Sequence, residues 1–190
     1  MEQKDCIVHD EGVSTNETPV STLALEALNR MDRVEFARVL GAVFENSPWV
    51  AERAWRSRPF AGVAALHAAM TGVVSRAPRA EQIAFLRAHP DLAGQAARAG
   101  TMTADSVAEQ ATAGLDRLSD EEYERFARLN REYRETFGFP FIIAVRRHDK
   151  AGILAAFERR LAHGLDEEVD AALAQVFDIT RMRLERLVTG

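Results

Sequence analysis

The sequence predicts an all-α protein, built as a single compact domain of about nine short helices. Helix start and stop signals divide the chain after residue 21 into short segments, and no sustained stretch shows the period-two alternation of β-strands. The β-like exception is the short apolar run FIIAV at 141–145. A length of 190 residues suits one domain and is sufficient to bury a core.

Residues 1–21 are predicted to form a disordered leader, because they are polar, rich in turn formers and without apolar periodicity. They contain the single cysteine of the chain, Cys6, so an intrachain disulfide is impossible and a reducing compartment is indicated. The leader lacks the apolar region of a signal peptide, and no run approaches the ~18 apolar residues of a membrane span. We therefore predict a cytoplasmic protein without membrane contact, whose helical domain covers residues 22–190.

The first two predicted helices begin at N-capping signals. Asp32 followed by Glu35 matches a capping box and opens a helix over 33–45. Ser47–Pro48 opens a short second helix, with proline in the first turn, where its missing N–H costs nothing.

Three further helices are predicted in the middle of the chain. Segment 61–74 is rich in alanine and apolar on most sides, which indicates a buried central helix. The next helix covers 80–88 and should end at His89, because Pro90 disfavours the α conformation in the residue before it. Segment 91–99 follows as another helix.

The second half continues the same pattern. Ser106 begins a helix that runs to about residue 115. Ser119 and Glu122 form a capping box before the helix over 120–137, which ends at a glycine. The last two predicted helices are 150–164 and 166–188.

The stretch LRAHPDLAG at 86–94 places an ionisable ring at a helix end. As a structural feature, His89 would cap one helix before a second helix that proline initiates. As a functional feature, His89 would lie at the negative end of the helix dipole, which favours the protonated ring and a proton donor near neutral pH. The sequence leaves both interpretations open.

Two other stretches also allow two interpretations. In SVAEQ at 106–110, Ser106 and Glu109 match a capping box, yet a polar cluster at a helix N-terminus can also hold a polar ligand. In FGFPFIIAV at 137–145, a nearly uncharged run follows helix breakers and would be a buried connector. Buried backbone polar groups need partners, and a bound ligand can supply them.

Taken together, these stretches resemble one enzyme family, the 2-oxo-4-hydroxy-4-carboxy-5-ureidoimidazoline (OHCU) decarboxylases of urate breakdown. The matching pieces, in chain order, are HPDLAG at 89–94, SxxEQ at 106–110, LNxEY at 129–133, FGFPFI at 137–142 and RL at 183–184. The resemblance implies an all-α fold of that family and decarboxylation of OHCU to (S)-allantoin. It also implies a homodimer.

The resemblance also assigns roles to individual residues. His89 takes the place of the catalytic proton donor. Arg183 matches an arginine near the end of the last helix. The places that contact the substrate fall on Pro90, Ser106, Val107, Ala108, Glu109, Gln110, Phe141, Ile142, Ile143, Ala144, Val145 and Arg183.

The chemistry of OHCU explains why such a site needs no cofactor. Its carboxylate sits on a ring carbon beside a C=N bond, and this imine accepts the electron pair that decarboxylation releases. The sequence has neither a clustered Cys/His metal signature nor a glycine-rich phosphate loop. We predict no metal and no cofactor, with a small-molecule substrate held by polar side chains.

Two alternatives to an enzyme remain. A non-catalytic helical interaction protein is one, because HPD also marks J-domain co-chaperones, although the helix before His89 has a single arginine where those domains are basic. An all-α transcriptional regulator is the other, but the first 30 residues hold only Lys4 and Arg30 as basic residues and the net charge is −5. We therefore predict no nucleic-acid partner.

Overall fold

A computed structural model of the chain describes residues 22–93 and 102–190. Within these ranges, nine α-helices pack around one apolar core, which confirms the all-α prediction. The predicted leader at 1–21, and all but the start of the predicted helix at 91–99, lie outside the described residues. None of the helices in these two ranges is both long and apolar enough to cross a membrane.

The helices are short except for two in the second half. In the first half they are α1 (Leu25–Arg30), α2 (Arg33–Leu40), α3 (Pro48–Ala54), α4 (Val63–Ser75) and α5 (Arg79–Arg87). In the second half they are α6 (Ala104–Thr112), α7 (Asp120–Phe137), α8 (Lys150–Arg160) and α9 (Leu165–Leu187). Single 3₁₀ turns cover Gly41–Phe44, Trp55–Ser57 and Val145–Arg147.

The two ends of the described domain are joined by a minimal β-ladder. Strand β1 (Leu23–Ala24) runs parallel to β2 (Val188–Thr189), with Leu23 opposite Val188 and Ala24 opposite Thr189. The ladder fixes the C-terminal end of α9 against the start of α1.

Helix α7 forms as its local signals predict. The Ser119 hydroxyl accepts a hydrogen bond from the Glu122 N–H at 3.2 Å, and the Glu122 carboxylate accepts one from the Ser119 N–H at 2.9 Å. Gly138 ends the helix in the left-handed conformation, with φ of 76°. The predicted capping box and glycine stop are both confirmed.

The prediction that 61–74 is a buried central helix is wrong. Of the residues in α4, all of which the structure describes, only Leu66, Met70 and Val74 are buried. They lie one turn apart and form a single face that packs on α3 and α9. The remaining positions are mostly small, so apolar composition here reflects short side chains rather than burial on all sides.

The run FIIAV is buried but is not a strand, contrary to its β-like sequence. Residues 141–144 are irregular, and a 3₁₀ turn begins at Val145. Two distant side chains take over hydrogen bonds that a strand would make with a neighbour. Arg160 donates to the Ile142 carbonyl at 2.6 Å, and the Ala144 N–H donates to the Gln175 side chain at 3.0 Å.

Helix α6 begins earlier than predicted, and this corrects the interpretation of SVAEQ. Thr103 is the N-cap residue, and its hydroxyl accepts a hydrogen bond from the Ser106 N–H at 3.3 Å. The predicted capping box of Ser106 and Glu109 is therefore wrong, because Ser106 already lies in the first turn. Its hydroxyl and the Glu109 carboxylate are left for other contacts.

Two other helices end before their predicted last residues. The helix predicted over 33–45 ends at Leu40, and a 3₁₀ turn leads to Glu45, whose φ is 52°. Helix α5 ends at Arg87, with Ala88 as its C-cap, so His89 lies just beyond the helix rather than at its last position.

Candidate active site

A small cavity opens to solvent between α5, α6, the 141–145 segment and α9. Its lining combines an apolar wall with a few polar groups. The lining residues are Val43, Glu45, His89, Pro90, Leu92, Ser106, Glu109, Gln110, Phe141, Ile142, Ile143, Val145, Val176, Ile179, Thr180 and Arg183.

The ring of His89 is fixed by the end of α5. Its Nδ1–H donates to the Phe85 carbonyl at 3.2 Å, since a carbonyl can only accept, and its backbone N–H donates to the Leu86 carbonyl at 3.2 Å. The Phe85 ring meets the imidazole edge-on, with centroids 5.1 Å apart. The other ring nitrogen, Nε2, has no hydrogen-bond partner in the part of the chain that the structure describes. The cavity therefore receives an imidazole of fixed direction with one nitrogen available.

Burial lowers the pKa of His89 from 6.5 to about 4, although the nearby Glu45 carboxylate acts to raise it and Arg183 lowers it further. The expectation that the helix dipole favours a protonated ring is therefore wrong for the ligand-free protein. Removing the imidazolium from water costs more free energy than the helix end and Glu45 return. At neutral pH the ring is neutral, with its proton on Nδ1.

The loop that follows His89 is held by side chains from α7. Asn130 donates to the Leu92 carbonyl at 2.8 Å, and Arg134 pairs with Asp91 at 2.8 Å. Asn130 of the LNxEY piece thus anchors the HPDLAG piece, and Arg134, the residue after LNxEY, adds a second contact.

Arg183 is the centre of the polar side of the cavity, and all five of its N–H donors bond to protein acceptors. Nε and Nη2 grip the two oxygens of Glu109 at 2.9 and 2.7 Å. Nη1 donates to Glu45 at 2.9 Å and to the Val43 carbonyl at 3.3 Å, and Nη2 also reaches the Ser106 hydroxyl at 3.2 Å. The family resemblance assigns Arg183 as a substrate contact, and that prediction stays untested. In this arrangement the fork orients Glu109.

The guanidinium of Arg183 stays protonated despite its burial. Burial alone would lower the pKa of the guanidinium, but the hydrogen bonds and charges of Glu109 and Glu45 outweigh it and raise the pKa. Two carboxyl groups therefore share one permanent cation, so the cluster has one carboxyl group more than it has cations.

Glu45 is a cavity residue that sequence reasoning missed. Its carboxylate accepts hydrogen bonds from Thr103 at 2.8 Å, from Ser106 at 2.9 Å and from Arg183. The available signal is an acidic residue at the end of the apolar run GAVFE, three residues before the helix that begins at Pro48. A solvated helix end explains that pattern equally well, so the pattern alone does not indicate a cavity residue.

Most of the residues predicted to contact a ligand line this one cavity, although they come from distant parts of the chain. Three do not. The side chains of Val107 and Ala108 are exposed, and Ala144 is buried with its N–H bonded to Gln175. The lining residues that sequence reasoning did not name are Val43, Glu45, Leu92, Val176, Ile179 and Thr180.

The Gln110 side chain lines the cavity but is also tied to the loop beyond it. Its oxygen accepts the Ala93 N–H at 2.8 Å, and its amide nitrogen lies 3.3 Å from the Met102 sulfur. Within the described ranges, no group of three or more His, Cys, Asp or Glu side chains is arranged to hold a metal ion.

Comparisons with known proteins agree with these motifs. The family model described as "OHCU decarboxylase" matches residues 29–185. The chain is 48% identical over 162 residues to the 2-oxo-4-hydroxy-4-carboxy-5-ureidoimidazoline decarboxylase of Haloferax volcanii, covering 85% of this chain and 94% of the relative. It is 43% identical over 168 residues to the protein of the same name from Halalkalicoccus jeotgali, covering 88% and 93%. A crystal structure of (S)-allantoin synthase superposes with a TM-score of 0.68 at 32% identity, over 88% of this chain and 54% of that chain.

Proposed function

Because the chain belongs to the OHCU decarboxylase family, we propose that its cavity converts OHCU to (S)-allantoin and CO₂ in urate breakdown, without a cofactor. The protein is accordingly an enzyme of the carboxy-lyase class. The observation that supports this assignment most strongly is the cavity itself. Residues from four separate sequence motifs, from His89 to Arg183, line one small polar and apolar chamber.

The reaction can be written with its atoms and electrons balanced. The bond from C4 to the carboxylate breaks, and its electron pair forms a C4=C5 double bond. The C5=N π pair moves to the ring nitrogen, which takes up a proton, and CO₂ leaves. The resulting enol loses the proton of its C4 hydroxyl and gains one at C5, giving allantoin with uptake of one proton overall.

His89 serves as the proton donor in this scheme. The ligand-free ring is neutral, but the substrate brings a carboxylate into the same cavity, and a nearby anion favours the imidazolium. The ring therefore takes up a proton at Nε2 with the substrate and delivers it to C5. Because the Nδ1–H bond to Phe85 fixes the direction of Nε2, delivery to one face of the ring follows.

The remaining groups orient the substrate. Each Glu109 oxygen keeps a lone pair beyond its bond to Arg183, so the carboxylate can accept N–H groups of the ureido chain or ring. Ile142 and Ile143 provide an apolar wall for the departing carboxylate. Poorly solvated surroundings favour the step that converts this charged group into neutral CO₂.

The decisive experiment supplies freshly generated OHCU and follows both CO₂ release and the chirality of the allantoin by circular dichroism. We expect catalysed release with an excess of the (S) product. Racemic allantoin formed at the uncatalysed rate would contradict the proposal and favour a non-catalytic interaction protein or a regulator.

We also propose that the enzyme is a cytoplasmic homodimer. The exposed face of α4 bears the small residues Ala64, Ala65 and Ala68, which would allow a second helix to approach closely. Light scattering after size exclusion should give twice the 21.1 kDa of one chain, and Ala65→Glu should give the monomer. A monomeric wild-type protein would contradict the dimer, and cell fractionation tests the location.

A further inference from the structure

Glu45 is buried to 5% exposure, and its carboxylate contacts three side chains that belong to two other elements. Thr103 and Ser106 approach it from the start of α6, and Arg183 approaches it from α9. It therefore joins the α2–α3 turn to both helices that form the polar side of the cavity.

The backbone at this position is unusual for the residue that occupies it. Glu45 has φ of 52° and ψ of −130°, in a region where a side chain is disfavoured and glycine is the natural choice. Non-glycine residues persist in such conformations where the surrounding structure requires their side chains. Here the requirement is visible as three hydrogen bonds to one buried carboxylate.

We propose that Glu45 is a positioning residue for the decarboxylation: it orients Arg183 and Ser106, and it places a negative charge beside His89. This inference rests on the proposed function for its kinetic consequences, but not for the geometry. None of the five sequence pieces that match the family contains Glu45.

The orienting role follows from the geometry of the guanidinium. Arg183 turns Nε and Nη2 toward Glu109 while Nη1 is held on the opposite side by Glu45. Without Glu45, the Val43 carbonyl would be the remaining partner of Nη1, at a longer 3.3 Å. Glu45 thus fixes the rotation of the fork, and through it the direction in which Glu109 faces the substrate.

The charge role follows from the groups around His89. Glu45 from the α2–α3 turn is the carboxylate that acts to raise the pKa of His89, while Arg183 from α9 lowers it. On α5 itself, the Phe85 and Leu86 carbonyls face the ring.

The other charged groups near this end of α5 are Glu109, Asp91 and Arg87, which bind Arg183, Arg134 and the Gly138 carbonyl. Arg183 binds Glu45 as well, but Glu45 is the carboxylate whose charge acts on the His89 ring, and both residues line the same cavity. Glu45 therefore supplies the negative charge that helps the ring to take up the proton it later donates.

The variant Glu45→Gln separates charge from shape. The glutamine oxygen can still accept from Ser106 and Arg183, and its amide can donate to the Thr103 hydroxyl. We expect kcat to fall about 10- to 100-fold with little change in melting temperature. The alkaline limb of the kcat–pH profile should move to lower pH by about one unit, because that limb reports the protonated donor in the substrate complex.

A measurement without substrate tests the charge role independently. In the ligand-free protein, the NMR titration of the His89 ring should move to lower pH in Glu45→Gln. Glu124→Gln, an exposed position on α7, is the matched control and should change neither the titration nor the rate. Glu45→Asp keeps the charge but shortens the side chain, so it should lower kcat while leaving the ring titration near that of wild type.

The outcomes separate the two proposals. If the wild-type protein does not turn over OHCU, the proposed function fails, and the ring titration still decides the charge role. If the wild type is active and Glu45→Gln retains its rate, pH profile and ring titration, the role of Glu45 is overturned. Should Glu45→Gln fail to fold, full activity in Glu45→Asp would equally overturn the orienting role.

Discussion

Two buried arginine clusters lie within residues 22–93 and 102–190, and only one of them adjoins the cavity. Arg160 and Arg183 are each 5% exposed, and each is bound to a buried glutamate. Arg160 contacts Glu168 and the Ile142 carbonyl, and its guanidinium stacks 4.6 Å over the Phe141 ring.

The cluster around Arg160 is balanced and closed. One guanidinium meets one carboxylate, and the Tyr133 hydroxyl also donates to Glu168. Burial raises the pKa of Tyr133, so this phenol stays a neutral donor. The Nδ1 atom of His163 lies 2.7 Å from the second carboxylate oxygen of Glu168. The strong partners of each group lie within the cluster, so it joins α7, α8 and α9.

The cluster around Arg183 also combines a guanidinium with carboxyl groups, but in different numbers. Two carboxyl groups share its guanidinium, one of them on a disfavoured backbone conformation, and a cavity replaces the aromatic packing. A buried ion pair is weak evidence for stability in either case. The unequal numbers of acids and bases, together with the adjoining cavity, distinguish the proposed active site from the closed cluster.

The largest expected effect is a loss of turnover, and it should distinguish the two histidines that lie beside these clusters. His89→Gln should reduce turnover by about 10²- to 10⁴-fold, the usual contribution of a general acid, with the fold intact. His163→Gln is the matched change in the closed cluster, where glutamine can still donate to Glu168, and should leave turnover unchanged. Steady-state kinetics with circular dichroism provides the comparison. A His89→Gln enzyme with normal rate and normal product chirality would remove His89 from the mechanism.

The second-largest effect is expected when the glutamate bound to each arginine is replaced by glutamine. Glu109→Gln should lower kcat/KM by roughly 5- to 150-fold, because a donor replaces an acceptor at a cost of about 1–3 kcal/mol. Its melting temperature should stay near that of wild type, since Arg183 keeps Glu45. Glu168→Gln should lower the melting temperature instead, because Arg160 loses the carboxylate that pairs with it, and breaking a buried pair costs about 3–5 kcal/mol.

Thermal melting and kinetics on both variants decide this contrast. A Glu109→Gln protein that is unstable but kinetically normal would make the Arg183 cluster structural. In that case the two clusters would differ only in access to solvent.

A smaller effect should appear in the dependence of stability on pH. The folded His89 takes up its proton near pH 4 and the unfolded ring near 6.5, so the unfolded state binds more protons between these values. The free energy of unfolding should therefore fall as pH decreases through this window, by up to about 2–3 kcal/mol. Urea titrations at several pH values measure it. In His89→Gln most of the dependence should disappear, leaving a part from His67, whose pKa burial also lowers.

Removal of metal ions is expected to have no effect on turnover. A divalent cation is one means of offsetting surplus carboxylates, but here the Arg183 guanidinium already binds Glu45 and Glu109. Dialysis against a chelator should leave turnover unchanged, and no added coenzyme should raise it. Loss of activity that one specific metal restores would show that a metal ion, and not Arg183 alone, offsets the charge of the two carboxylates.

Sequence reasoning succeeded where the determinants are local. The cap at Ser119 and the stop at Gly138 lie within the helix they define, so the bounds of α7 followed directly. The start of α6 shows the limit of such signals. Thr103 and Ser106 are hydroxyl residues three positions apart, and either one could be the N-cap.

The features that sequence reasoning missed depend on tertiary contacts. Glu45 is buried only because α6 and α9 surround it, and the neutral state of His89 results from that same enclosure. The pairing of Leu23 with Val188 joins opposite ends of the domain, which no local pattern indicates. The motifs identified which residues meet, whereas burial decided their protonation and their partners.

The short parallel ladder between β1 and β2 also brings the two ends of the described domain close to each other. Leu23 pairs with Val188 and Ala24 with Thr189, so residues 22 and 190 lie roughly 10 Å apart, at opposite ends of the ladder. A linker of a few residues would join these two ends and allow the chain to be opened elsewhere, as in a circular permutant. The circle would then close beside the last turn of α9 and not across the fold from it.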